Sequence, residues 1–226
     1  MTSLFLAALF FLLIHLGVAG TRLRDRVVGA VGLRGYMVAF SIASVAGIAW
    51  LIGAYRAAPY AETWGWLEWW KPVMIALMLP AFLLFVIGLT TPNPTAVGQE
   101  NLVSRPAEGI VRVTRHPFLT GAALWAGLHL VGNGDLASLL FFGAFFITAT
   151  VGTVSIDAKR RRTLGAPAWA AFAGQTSILP FAAIAQGRNT LRLGELGWWR
   201  PAAGLLAYAL MLGGHVHLIG VSPFPT

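Results

Sequence analysis

Six stretches of this sequence run for 18 to 21 residues without an Asp, Glu, Lys or Arg: Ser3–Gly20, Gly35–Tyr55, Pro72–Leu89, His116–Gly134, Leu136–Ile156 and Pro201–Gly220. About 20 apolar residues cross a bilayer as a helix, so each run is long enough to span one. Inside hydrocarbon every backbone N–H and C=O must find a partner within the protein, which a helix provides. Charged residues make up only 11% of the chain, against about 25% in a soluble domain. The reading is an all-α, polytopic integral membrane bundle of about six transmembrane helices, one domain over residues 1–226, with the lipid bilayer as its first partner.

Local signals refine this plan. The charges Arg22, Arg24 and Arg26 follow the first run instead of preceding it. That is the pattern of a retained helix, not of a cleaved signal peptide. Trp64, Trp66, Trp69 and Trp70 cluster before the third run, as expected of a headgroup-level anchor. Pro80 predicts a kink, and Pro117 suits the first position of a helix. Asn133–Gly134–Asp135 reads as a tight turn joining the fourth and fifth helices into an antiparallel hairpin. Thr163–Gly187 is uncharged but broken by Gly165, Pro167, Gly174 and Pro180, so it is expected to be interfacial or re-entrant.

The net charge of +8 then concerns orientation. With six crossings, Arg22 to Arg34, Arg105 to Arg115 and Lys159 to Arg200 share one side, holding 14 of the 16 Lys and Arg residues; Arg56 and Lys71 take the other. The positive-inside rule puts the larger set in the cytoplasm and both termini outside. No basic, aromatic-interleaved soluble face is left for a nucleic acid. Without cysteine, disulfides and thiolate ligands are excluded. No phosphate-binding glycine loop and no HExxH zinc motif occurs. The eight acidic residues are scattered, which argues against paired-carboxylate hydrolysis.

Five histidines remain. His15 and His129 fall inside apolar runs, where an imidazole needs a partner; a haem iron, a proton relay and an interhelical hydrogen bond all suit it. His116 and His129 lie ~220° apart around one helix, so they do not serve one site together. Arg115 and His116 sit at a membrane face just before a helix N-terminus. They are expected to hold an anionic group such as a haem propionate, a lipid phosphate or a substrate carboxylate, or else to clamp the loop through nearby carbonyls.

Several pieces together resemble the NnrU family of bacterial membrane proteins. These are His15 in an apolar helix before basic residues, the run Gly109–Ile110–Val111–Arg112–Val113–Thr114–Arg115–His116–Pro117, Leu124–Trp125 with His129, Asn133–Gly134–Asp135, and the end His217–Leu218–Ile219–Gly220–Val221–Ser222–Pro223–Phe224–Pro225. The family takes its name from a genetic association with nitrite and nitric oxide reduction. Its plant relative, zeta-carotene isomerase, is a haem-b-dependent membrane enzyme. The resemblance implies haem b, with its two iron ligands falling on His15 and His129, and a redox, denitrification-linked or isomerase-like role. It also implies a place in the bacterial inner membrane and an apolar or isoprenoid-like ligand.

A second resemblance is to the isoprenylcysteine carboxyl methyltransferase group. It rests on Arg115–His116–Pro117 with Gly121, and on Leu164–Gly165–Ala166–Pro167–Ala168–Trp169 with Ser177–Ile178–Leu179–Pro180. In that group the Arg and His help to hold S-adenosylmethionine. Its Glu-Glu pair is absent here, where Asp157–Ala158–Lys159–Arg160–Arg161–Arg162 stands instead. Two alternatives to a haem protein are carried forward: an S-adenosylmethionine-dependent membrane methyltransferase, and a non-enzymatic accessory protein for nitrogen-oxide respiration.

Overall fold

The computed structural model describes residues 1–225 and contains no strand among them. Its helices are α1 (Thr2–Leu12), α2 (Arg22–Arg56), α3 (Lys71–Thr90), α4 (Pro117–Asn133), α5 (Leu136–Leu164), α6 (Ala166–Gln175), α7 (Ala182–Ala185) and α8 (Trp199–Ile219). A π-helical turn, Leu13–Val18, continues α1. By length and composition α2, α5, α8 and the helix containing α3 are long and apolar enough to cross a membrane. Thr2–Val18 is a shorter apolar helix, and α4 has 17 residues, which rise only ~25 Å. The six expected crossings thus correspond to four full-length helices and two short ones.

α2 departs from its expected start. The apolar run begins at Gly35, whereas the helix begins at Arg22, where the Thr21 hydroxyl accepts the Leu23 N–H at 3.2 Å. Gly32, at φ 75° and ψ 162°, breaks it. The basic first turns are thereby set off from the apolar length, a φ that only glycine adopts freely.

The bundle core forms where α1, α2, α4 and α5 meet: Leu4, Ala7 and Phe11, Leu51, Ala126, and Phe141, Phe142 and Ala144. α4 then packs on α3 at very close range. A Cβ on Gly121 would stand 2.8 Å from the Ala81 carbonyl oxygen, and one on Gly88 2.7 Å from the Phe118 nitrogen. Small residues let backbones approach in this way when apolar burial gives no preference for protein over lipid. α8 completes the far side, with the Tyr208 hydroxyl donating to the Ile75 carbonyl at 2.8 Å. Apolar side chains such as Ile42, Val45, Leu206 and Leu210 cover the outer faces, as lipid contact requires.

At one end, Gly134 (φ 58°) and Asp135 turn α4 into α5, and Asp135 caps α5 by accepting the Ser138 N–H at 2.9 Å. The Trp-rich segment straps this turn. Thr63 and Gly65 donate to the Gly134 carbonyl, Leu136 donates to Ala61, and the Trp64 indole donates to the Val131 carbonyl at 2.9 Å. Residues near both ends of the chain pack into this part of the bundle: Lys71 donates to the Phe224 carbonyl at 3.2 Å, and Met1 packs against the core cluster.

The opposite end gathers the basic loops. The segment 163–187 forms α6 and α7 and folds over the connection between α3 and α4. Its Trp169 and Phe172 bury with Ile87, Ala107, Ile110, Val111 and Val113. Of its expected breakers, Gly165 (φ 87°) ends α5 and Pro167 sits in the first turn of α6, while Gly174 lies within α6 without interrupting it.

Candidate functional site

Two groups of residues carry chemistry. The first lies at the basic end, where the last turns of α5 meet the residues before α4. The Arg115 guanidinium donates from Nε to the Thr176 hydroxyl at 2.9 Å, and from Nη2 to the carbonyls of Ala173 and Thr176 at 3.2 and 3.3 Å. Its Nη1 donates to Asp157. The other Asp157 oxygen accepts from His116 Nε2 at 2.8 Å. All three side chains are largely buried. Burial pushes the Arg115 guanidinium below its ordinary pKa, and the Asp157 carboxylate opposes that. Backbone bonds tie in the neighbours: Arg115 N–H to the Ser177 carbonyl, Phe181 N–H to Val113, and Asn93 Nδ2 to the Arg115 carbonyl.

Two further ion pairs flank this node. Arg160 reaches Glu100 and the carbonyls of Thr95 and Ala96. Arg112 grips Glu195 with two hydrogen bonds, at 2.7 and 2.9 Å, and Glu195 also accepts the Gly109 N–H at 2.8 Å. The hydrogen bonds from Arg112 hold the Glu195 carboxyl down at about 2, as charge-assisted bonds to the ionised form must.

The node therefore contains its own anion. Arg115 and His116 were expected either to hold an anionic group or to clamp the loop, and four hydrogen bonds of Arg115 are already spent on the clamp. In the sequence Asp157 is only a lone carboxylate directly after the uncharged run ending at Ile156, in the place of the methyltransferase group's Glu-Glu pair, and nothing there pairs it with Arg115 or His116.

The second group is intramembrane. His15, in the π-helical turn, bonds from Nδ1 to the Phe11 carbonyl at 2.8 Å. His129 bonds from Nδ1 to the Trp125 carbonyl at 2.9 Å. A carbonyl only accepts, so Nδ1 carries the proton in both rings and Nε2 presents a lone pair. Neither Nε2 has a hydrogen-bond partner among the described residues. His129 stacks on Phe142, with centroids 4.5 Å apart and planes at 13°. His15 lies against Phe11 at 4.1 Å and Phe40 at 5.2 Å. π-helical turns recur at functional positions.

The donor chemistry suits a haem iron: neutral imidazoles, a fixed tautomer and apolar surroundings. The space between the two donors is filled. A run of rings links them, from His15 through Phe11, Phe145 and Trp125 to His129, with successive centroids 4.1, 4.9, 5.4 and 5.4 Å apart. A macrocycle ligated by both histidines takes the volume of these rings. Neither histidine lines the cavity of about 200 Å³ at the basic end or the apolar one of about 150 Å³ between α1 and α5. Among the described residues no three His, Asp or Glu side chains converge on a metal position. Arg115 and His129 stand about 20 Å apart along α4 at 1.5 Å per residue, so the structure does not bring the two groups together.

A family model described as NnrU protein matches residues 3–223. No curated protein and no solved structure matched the chain.

Proposed function

The chain belongs to the NnrU family, and on that premise we propose that it is a bacterial inner-membrane haem-b protein with His15 and His129 as candidate iron ligands, joint ligation requiring the Phe11, Phe145 and Trp125 rings between them to move aside. The observation that carries this reading is that, whereas His215 in α8 bonds from Nδ1 to the Val221 carbonyl beyond its helix, His15 and His129 share a matched state, each bonded within its own helix. Each commits Nδ1–H to the carbonyl four residues earlier and leaves Nε2 without a partner. An unpaired imidazole nitrogen in hydrocarbon is costly, and ligation would satisfy it.

Haem, when bound, supplies an iron centre for one-electron exchange or for binding a small molecule such as nitric oxide. The Phe11 and Trp125 carbonyls would hold the ligand tautomer, and Phe142 would fix the His129 ring plane. The apolar helices α1, α4 and α5 would exclude water. The role that follows is a redox, nitrogen-oxide-linked one or the isomerisation of an apolar substrate.

The test is the absorption spectrum of the purified, detergent-solubilised protein. A Soret band is expected, lost or shifted in His15→Ala and in His129→Ala and retained in His217→Ala. Full haem retention in both of the first two variants overturns the ligand assignment. A colourless protein that binds S-adenosylmethionine favours methyl transfer instead, and one that binds neither favours an accessory role.

A further inference from the structure

We propose that the cavity at the basic end of the bundle is a binding site for the phosphate of an anionic phospholipid headgroup. This rests on residues separate from the two histidines. The cavity, about 200 Å³, lies between the end of α3 and the start of α8, and Thr91, Arg105, Glu108, Phe172, Glu195 and Arg200 line it.

Its depth fits a headgroup. Thr91 directly follows α3, and Arg200 is the second residue of α8, so the cavity sits where two apolar helices leave the hydrocarbon. Trp198 and Trp199, both exposed, mark that level as interfacial aromatics do. Leu89, Leu205 and Leu206 continue outward as exposed apolar side chains, on which acyl chains would lie.

Its charge fits an anion. Glu195 is neutralised by Arg112. Arg200 spends Nε and Nη1 on the carbonyls of Thr90 and Leu196, at 3.3 and 3.0 Å, so no carboxylate balances its charge among the described residues. Arg105 has no ion-pair or side-chain hydrogen-bond partner there either. Against these two cations stands Glu108 alone. Basic pockets between membrane helices on the cytoplasmic side suit anionic lipid headgroups.

The second, independent observation is Thr91. It is 9% exposed, and its buried hydroxyl has no hydrogen-bond partner among the described residues. A buried hydroxyl left unpaired is destabilising, and rotation of the Thr91 side chain toward the cavity it lines would let a phosphate oxygen accept its proton.

The test exchanges the purified full-length protein through detergent after reconstitution in phosphatidylcholine vesicles containing phosphatidylglycerol, then measures retained lipid by mass spectrometry. Wild-type protein is expected to retain phosphatidylglycerol over phosphatidylcholine. Arg105→Gln and Thr91→Val are expected to lower that retention at least threefold with helical circular dichroism unchanged. Arg34→Gln, a charge change away from the cavity, is expected to keep it. Wild-type retention in both cavity variants, or an equal loss in Arg34→Gln, overturns the proposal. Full displacement of the lipid preference by millimolar inorganic phosphate also overturns it, making this a free-phosphate site.

Discussion

Asp157 and His116, 41 residues apart in sequence, meet at 2.8 Å, with the second Asp157 oxygen taken by Arg115. One carboxylate near the end of α5 therefore fixes the two residues that lead into α4. Opposite charges held largely out of water are costly to separate.

Asp157→Ala should lower stability by about 3–5 kcal/mol, the usual consequence of stranding a buried partner. Arg115→Ala should act similarly, and the double variant should lose less than the two single losses added together. Thermal unfolding in one detergent measures all three. Additive losses would mean that the pair is not coupled.

The Arg112–Glu195 pair predicts a pH dependence. The folded carboxyl is held at about 2, below its ordinary 4.5. A depressed folded pKa contributes stability that is fully present above the unfolded value and lost as pH falls through the folded one. The stability difference between wild type and Glu195→Gln should thus be constant above about pH 5, shrink between 4.5 and 2, and vanish below. A difference that grows on acidification contradicts the pairing.

Gly121→Ala should destabilise the protein by about 1–3 kcal/mol, as overpacking does. Its Cβ would meet α3 backbone at 2.8 Å, and backbone cannot rotate aside. Gly143→Ala, with nothing within 4 Å, should be neutral or slightly stabilising in its helix. Melting temperatures of both variants decide the point.

Topology is testable by reporter fusions. Lys71 donates to Phe224, which puts Phe224 at the end of the bundle that also holds the 133–135 turn. Fusions after Asp157 should report cytoplasm, and fusions at Asn133 and the C-terminus the outside. A cytoplasmic C-terminus would overturn the orientation.

The helical plan was legible because lack of charge over a bilayer's width has few explanations. α3, α4 and α8 begin and end close to where the uncharged runs do, while α5 begins with its run but continues through the charged residues Asp157–Arg162 to Leu164. The first turns of α2 were not legible, since Arg22–Arg34 offers no apolar run and its helicity depends on the Thr21 cap and the Gly32 break. At the basic end, Arg115 and His116 stood out as a charged pair before a proline. Their partners Asp157 and Thr176 come from 41 and 61 residues away, and nothing in local spacing announces such contacts. Likewise the sequence placed His15 and His129 in apolar helices, but the ring-stacking on Phe142 and the aromatic run between the two histidines exist only once α1, α4 and α5 are packed.

The strap across the α4–α5 turn bears on the order of assembly. A Cβ on Gly134 would stand 2.0 Å from the Gly65 carbonyl oxygen, so strap and turn close on each other without room for a side chain. Chains emerge from the ribosome N-terminus first, and the strap is made about seventy residues before the turn on which it docks. During synthesis the backbone donors of Thr63 and Gly65 must wait at the membrane surface, satisfied by water, until α4 and α5 have inserted. The docking of that loop is then a late event that reports the completed hairpin.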